Sequence, residues 1–370
     1  FVLVFAMICA RLLIVVLLFC PPLCAPFQSP LSRPWKEKFQ SMSDRSSSSV
    51  SPPPLPAQRL VSSSDTSLKL SLGGSSSAPL EEWSKPTRFS VNLGKVGIVN
   101  LYGFYYGMTS ILLGLVWTIA NFFTWLSYKL CENVLRIKSF DKGRRIAVFL
   151  SHVWGVWLMR LTRCYPIIES MPSAPTPVKY FQKSPPTVSP SVMYVANHCS
   201  WMDIPYMGAA IGWRNYKIVA KKELTKVPIL GQSILLGGHV CVDRTDRRSQ
   251  IQTLKKGIEW LKSGVPLCAF PEGTRSKTGR LMPFKRGAFS MASKAGAEIV
   301  PLSIVGSERV MPVGWVMPKV SSRSLKAKIV VHPPISSVGK TEEELTKEVR
   351  AAIVSGLPEA QRPKDWGMED

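Results

Sequence analysis

A chain of 370 residues is long enough for one large domain or two modest ones, with a sizeable buried core. At 45% hydrophobic, with 11 Trp and 15 Phe, it is not a wholly disordered protein. The net charge of +23 asks for anionic partners (nucleic acid, anionic lipid or phosphorylated substrates), and composition alone does not choose among them.

The eight cysteines are scattered with no C-x-x-C pair, and no two of the four histidines have zinc-ligand spacing. Neither a disulfide framework nor a metal site is expected, and reduced thiols in an intracellular compartment fit better. Along the chain, residues 1–25 are nearly all apolar and read as a signal-peptide core or a short anchor. Phe1 stands where an initiator is expected, so the chain is a fragment or carries an extension ahead of Met7. Residues 26–90 are rich in Ser and Pro and poor in acids, a composition that does not fold and that matches an organelle transit peptide or a plain linker. Together, 1–90 is a targeting or disordered leader.

Residues 91–165 form the next section. No charge interrupts Val96 to Tyr128, a run longer than the ~20 residues that cross a bilayer. One tilted span, a re-entrant hairpin and a helix buried in a core are the open alternatives, with membrane insertion favoured. Ile146 to Met159 is shorter, is flanked by Arg144, Arg145, Arg160 and Arg163, and suits an interfacial helix. From about residue 186 to 356 the texture is that of an α/β domain. Strands are expected at Val192–Val195, Tyr216–Ala220, His239–Val242, Pro266–Phe270, Ile299–Val305 and Ala327–Val331. Helices are expected around Ile251–Leu261, over 286–296, and after the capping box Thr341-x-x-Glu344. Strands alternating with helices predict a mostly parallel sheet flanked by helices, preceded by N-terminal membrane-associated helices.

The chemistry concentrates in two segments. In YVANHCSWMDIPYMG, His198 directly follows a predicted strand and Asp203 lies five residues on. A helical turn there lets the carboxyl fold back onto the imidazole, fix its tautomer and stabilise the charged ring. Such a histidine takes a proton from an alcohol, which then attacks an activated acyl carbon. Taken alone, a His-x4-Asp spacing is weak, because most such pairs are structural hydrogen bonds. No G-x-S-x-G nucleophile is present, and a covalent role for Cys199 is a minor alternative. The second segment, Phe270-Pro271-Glu272-Gly273-Thr274-Arg275-Ser276, follows another strand, where α/β sheets place ligand loops. Gly273 permits a tight turn, Thr274 and Ser276 supply hydroxyls, and Arg275 offers a fork for phosphate. A strand ending in Arg244 and the apolar Val300-Pro301 stretch add two further blocks. Pro301 suits a strand start, an edge or a bulge.

Together these four blocks, in this order, resemble the glycerolipid acyltransferases, specifically the plant plastid type of 1-acylglycerol-3-phosphate acyltransferase. The first block, NHxSxxD, is matched by Asn197, His198, Ser200 and Asp203, and the third, FPEGTRS, by Phe270 to Ser276 without exception. The second departs mildly, with Cys241 where the family often has Phe. The resemblance spans roughly residues 95–335. It implies His198 as general base and Asp203 as its orienting partner. It also implies Glu272, Gly273, Thr274 and Arg275 at the acceptor site, with Arg275 on the phosphate and Arg244 assisting. Lys221 and Lys222 are further phosphate candidates, and a solvated basic turn is about as good a reading of them.

No cofactor is implied; acyl-CoA or acyl-ACP is the co-substrate. The implied reaction moves a fatty acyl group to the sn-2 hydroxyl of lysophosphatidic acid. Relatives acting on glycerol 3-phosphate or another lysophospholipid share the same blocks. Between Pro205 and Ala295, 17 basic residues face five acidic ones, a surface for membrane lipid or for an acidic carrier protein. Nucleic acid is not expected, since no zinc finger, RRM signature or basic zipper occurs. A catalytically silent lipid-binding protein would be free to lose residues that are intact here. The leader and the resemblance point to a plastid membrane, the inner envelope, with the endoplasmic reticulum as the alternative.

Overall fold

In the computed structural model, which describes residues 90–94, 97–137, 140–178, 191–227 and 230–364, the centre of the fold is a strand buried on both faces. β4 (Val192–Ala196) reads VMYVA, and all five of its residues are buried. Its alternation sorts the core into two layers. Val192, Tyr194 and Ala196 join the cluster that includes Tyr206, Met207 and Met159. Met193 and Val195 join the cluster of Leu261, Phe289 and Leu345 on the opposite face.

Around β4 stand β3 (Ile167–Ser170), β5 (Lys217–Lys221), β6 (Val240–Val242), β7 (Leu267–Ala269), β8 (Glu298–Val305) and β9 (Lys328–Val331). The order is β3-β9-β8-β4-β7-β5-β6, and every neighbouring pair is parallel except β8 with β9. A mostly parallel sheet flanked by helices is therefore observed. One face carries α1 (Leu101–Lys129), α2 (Arg145–Leu161) and α3 (Asp203–Ile211); the other carries α5 (Arg247–Lys262), α6 (Gly287–Ala295) and α9 (Glu342–Gly356). The capping box expected at Thr341 and Glu344 opens α9. Short α4 (Leu230–Leu236), α7 (Ser307–Val310) and α8 (Ser322–Leu325) complete the helices.

The expected bounds of the α/β part need adjusting. The sheet begins before residue 186, because β3 pairs with β9, and a 3-10 turn at Glu359–Gln361 packs beyond residue 356. Pro301 lies inside β8, an interior strand, and of the three expected settings the bulge is the one observed: between Leu302↔Val331 and the Ile299↔Ile335 bridge the antiparallel register shifts by one residue. Its carbonyl accepts from His332 N at 3.0 Å, but proline has no N–H to return the bond. The β8–β9 ladder accordingly starts one residue later, at Leu302↔Val331.

Helix α1 and the π turn that continues it to Val134 form a 34-residue segment long and apolar enough to cross a membrane, by length and composition. Among the alternatives left open by the sequence, a helix buried in the core does not describe it, since 17% of its most apolar window is buried. Near its start Tyr102 donates to Thr162 O at 2.5 Å, and Trp117 stacks on Trp154 of α2 at 4.9 Å. Near its end Tyr128 donates to Asp141 Oδ2 at 2.6 Å. The opposite face (Leu101, Phe104, Met108, Ile111, Leu115, Ile119, Phe122, Leu126) is exposed and apolar at three- and four-residue spacing. The strands Ser90–Asn92 (β1) and Ile98–Asn100 (β2) form a small antiparallel pair just ahead of α1. Residues 1–89, with the leader expected there, lie outside the described residues.

Candidate active site

Parallel strands bring the chemistry to one edge. β4 pairs with β7 through Val195↔Ala269, so the residues just past both strands, Asn197-His198 and Phe270, meet at the carboxyl end of the sheet. The His198 ring stacks on Phe270, with centroids 4.1 Å apart and planes 17° from parallel. Asp203 is the first residue of α3, and Pro205 in the same turn has a preset φ that suits a helix start. The Asp203 carboxyl turns back over this corner. Its Oδ2 accepts from His198 Nδ1 at 2.8 Å, from Cys199 N at 2.6 Å and from Ser200 N at 2.8 Å. Asp203 is fully buried, while the His198 side chain keeps 15% exposure. With Nδ1–H committed to Asp203, Nε2 is the nitrogen left to take a proton.

The FPEGTRS loop grips the same peptide from both sides. Ser276 N donates to His198 O at 2.8 Å, and His198 N donates to Glu272 Oε1 at 2.6 Å. The other oxygen of Glu272 accepts from Met282 N at 2.9 Å. Both carboxyl oxygens are thus spent on backbone, so buried Glu272 shapes the site from within and does not face a substrate. Gly273 turns the loop at φ 75°, where a Cβ would stand 3.0–3.1 Å from the end of the Lys285 side chain. Thr274 is exposed, and the Arg275 guanidinium lies 4.8 Å over the Trp201 ring, half-buried. Pro271 closes the corner through its carbonyl, which accepts from Lys285 N at 2.9 Å. Asn197 pairs its amide with the backbone of β8, accepting from Ile304 N at 2.7 Å and donating to Ile304 O at 2.9 Å. Ser200 Oγ donates to Met311 O at 2.8 Å.

Cys199 is buried, donates toward Gly279 O, and its thiol is pushed well above its ordinary range, first by desolvation and then by Asp203. A thiol so held does not supply the thiolate that covalent chemistry needs. The three outer basic residues share the sheet edge but not the centre. Lys221 pairs with Glu223 at 3.1 Å, Lys222 with Asp243 at 3.5 Å, and Arg244 is exposed beyond edge strand β6. β6 is three strands from β4, roughly 14 Å at the usual spacing. Sequence reasoning missed two partners: Phe270 as the plate under the imidazole, and Trp201 under Arg275. Both are aromatic residues inside or next to the motifs, which is the signal that could have found them.

Burial shifts several groups in opposite directions. It pushes the Glu272 carboxyl up to about 8 and that of Glu308 up to about 7. It pushes the His332 imidazole down to about 4 and that of His239 to about 3, where Lys217 and Lys256 add to the effect. A raised carboxyl means that the native state keeps a proton the unfolded chain gives up. That stability is fully present below about pH 4.5 and is lost as pH rises through about 8. A depressed imidazole works the other way, since the unfolded chain takes up protons below about pH 6.5 that the native state refuses. From these four groups the melting temperature in a pH series is expected to peak between about pH 5 and 6.5, falling below it and, up to about pH 7, above it. From there Lys217, whose ammonium is pushed down by burial to about 7, works against the loss.

Residues 177–305, which include His198, Asp203 and the FPEGTRS loop, match the model of the Acyltransferase family. Among named relatives, it is 35% identical over 223 residues to a 1-acyl-sn-glycerol-3-phosphate acyltransferase of Chlamydomonas reinhardtii, covering 60% of this chain and 62% of that one. It is 34% identical over 222 residues to a chloroplastic 1-acyl-sn-glycerol-3-phosphate acyltransferase of Brassica napus, covering 59% and 58%. The chain thus spans about three fifths of the length of these relatives. Among solved structures, the 1-acyl-sn-glycerophosphate acyltransferase of Thermotoga maritima is 26% identical with a TM-score of 0.47, covering 67% of this chain and 95% of that one.

Proposed function

We propose that this protein transfers a fatty acyl group from an acyl thioester to the sn-2 hydroxyl of 1-acylglycerol 3-phosphate, giving phosphatidic acid. The observation that carries the reading is the His198–Asp203 pair, which leaves Nε2 at the carboxyl edge of the sheet beside an arginine-bearing loop. In this mechanism Nε2 takes the proton of the acceptor hydroxyl as its oxygen attacks the thioester carbonyl. Asp203, held by two backbone N–H groups, stabilises the imidazolium and keeps Nδ1 protonated. As the tetrahedral intermediate collapses the C–S bond breaks, and the imidazolium returns its proton to the departing thiolate, so the donor leaves as the thiol and His198 is neutral again. Arg275, steadied on Trp201, is the candidate for the acceptor phosphate, with Arg244, Lys221 and Lys222 as an outer basic rim. Acyl-CoA and acyl-ACP both suit that rim as donors. The names of the relatives support the acceptor and a plastid location. The inner envelope is the membrane proposed.

The exposed apolar stripe of α1 supports membrane attachment. Because both ends of the helix are tied to the domain, we place its long side, not its axis, into the lipid. Leu112→Asp with Leu115→Asp should lower binding to anionic phospholipid vesicles at least about tenfold, since each exposed Leu contributes roughly 1.5–3 kcal/mol when buried. Unchanged co-flotation would remove this role from α1. The reaction itself is tested by supplying labelled acyl-CoA or acyl-ACP with either lysophosphatidic acid or glycerol 3-phosphate. Product from lysophosphatidic acid alone is the expected result. Product from glycerol 3-phosphate alone would keep the chemistry and change the acceptor.

A further inference from the structure

The 3-10 turn Glu359–Gln361 lies beyond the residues matched by the acyltransferase model, yet its glutamine reaches the scaffold that holds His198. Gln361 is buried, and its Nε2 donates to Glu308 Oε2 at 3.1 Å and to Ile304 O at 3.4 Å. Ile304 is also the residue whose backbone carries the amide of Asn197, next to His198. The peptide of Gln361 works on the other side. Its carbonyl accepts from Leu281 N at 2.8 Å, beside Met282, whose N–H goes to Glu272. Arg280 secures the turn by donating to Glu359 O and Arg362 O. One residue therefore touches both arms that fix His198: the Asn197 arm through Ile304, and the Glu272 arm through Leu281.

Glu308 anchors the Gln361 side chain. It is buried on α7, with one oxygen taken by Gln361 and the other 3.6 Å from Arg309 Nε. We propose that Gln361 is a positioning residue for the His198–Asp203 pair, keeping its two supporting arms in register. The proposal rests on the reading of His198 as the base.

The full chain in phospholipid nanodiscs, with its four histidines labelled, allows the His198 ring signal to be followed by NMR at one pH, the signal being identified by its loss in His198→Ala. The same protein is assayed with lysophosphatidic acid and acyl-CoA. Gln361→Met should move or broaden the His198 ring signal and lower kcat about tenfold or more with KM within about twofold, the mark of lost alignment without lost binding. Gln361→Asn, which keeps the amide but shortens its reach, should act in the same direction and serves if the Met variant does not fold. An unchanged ring signal with intact kcat overturns the proposal, as does a raised KM with intact kcat. If the wild-type protein transfers nothing while the ring signal changes as expected, the positioning role stands and the assigned reaction falls.

Discussion

His198→Ala is expected to cut acyl transfer by at least about a thousandfold while leaving the fold and vesicle binding unchanged. The size of the effect follows from what the ring does in the proposed reaction. It is the proton acceptor, and general-base catalysis together with an aligned carboxyl partner is worth several orders of magnitude. The fold should survive because the ring makes few contacts that others do not back up. Asp203 keeps the N–H groups of Cys199 and Ser200, and the His198 peptide keeps Glu272 and Ser276. Initial rates with a labelled acyl thioester, beside circular dichroism and flotation, make the measurement. Wild-type rates in the variant would end the mechanism.

The second large effect should come from Glu272→Ala, and it should be read as lost stability and lost rate together. Removing the carboxyl leaves the part-buried N–H groups of His198 and Met282 unpaired. Each orphaned donor costs about 1–3 kcal/mol, so a loss of about 3 kcal/mol or more is expected, with a melting temperature lower by several degrees. The His198 peptide would also lose one of its two ties to the FPEGTRS loop, and kcat should fall with it. Glu272→Gln, which retains an acceptor oxygen, should lie between. A raised KM with an unchanged melting temperature would mean that Glu272 meets the acceptor directly, contrary to its buried position.

Much of the α/β part was legible because its strands are short apolar runs bounded by turn residues, and because its helices carry plain signals such as Thr341 and Glu344. Observed boundaries moved by a residue or two, as for Lys217–Lys221 against the expected Tyr216–Ala220. Other elements gave too little signal. β3 is four residues long and largely exposed, and Ser90–Asn92 with Ile98–Asn100 is a pair of three-residue strands. In the site, the pairing of His198 with Asp203 was readable because it is local. The contacts of Glu272 with His198 and Met282, of Asn197 with Ile304, and of Gln361 with Glu308 were not, because each depends on which strand ends become neighbours. Lys221 and Lys222 show the converse. A basic doublet after a strand reads equally as a phosphate site or a solvated turn, and only the fold shows Glu223 and Asp243 beside it, at the rim and away from the centre.

The pairing of β3 with β9 has a consequence for the order of assembly. Ile167 meets Lys328, about 160 residues later in the chain. At roughly 5–20 residues per second, a ribosome needs roughly ten to thirty seconds to supply that partner. Throughout this interval α1 and α2 have already been made, with the apolar stripe of α1 on show and β3 still unpaired. A surface that can hold the helix pair early, whether lipid or chaperone, would spare the nascent chain from aggregation. Adsorption of the N-terminal half would then come before closure of the sheet.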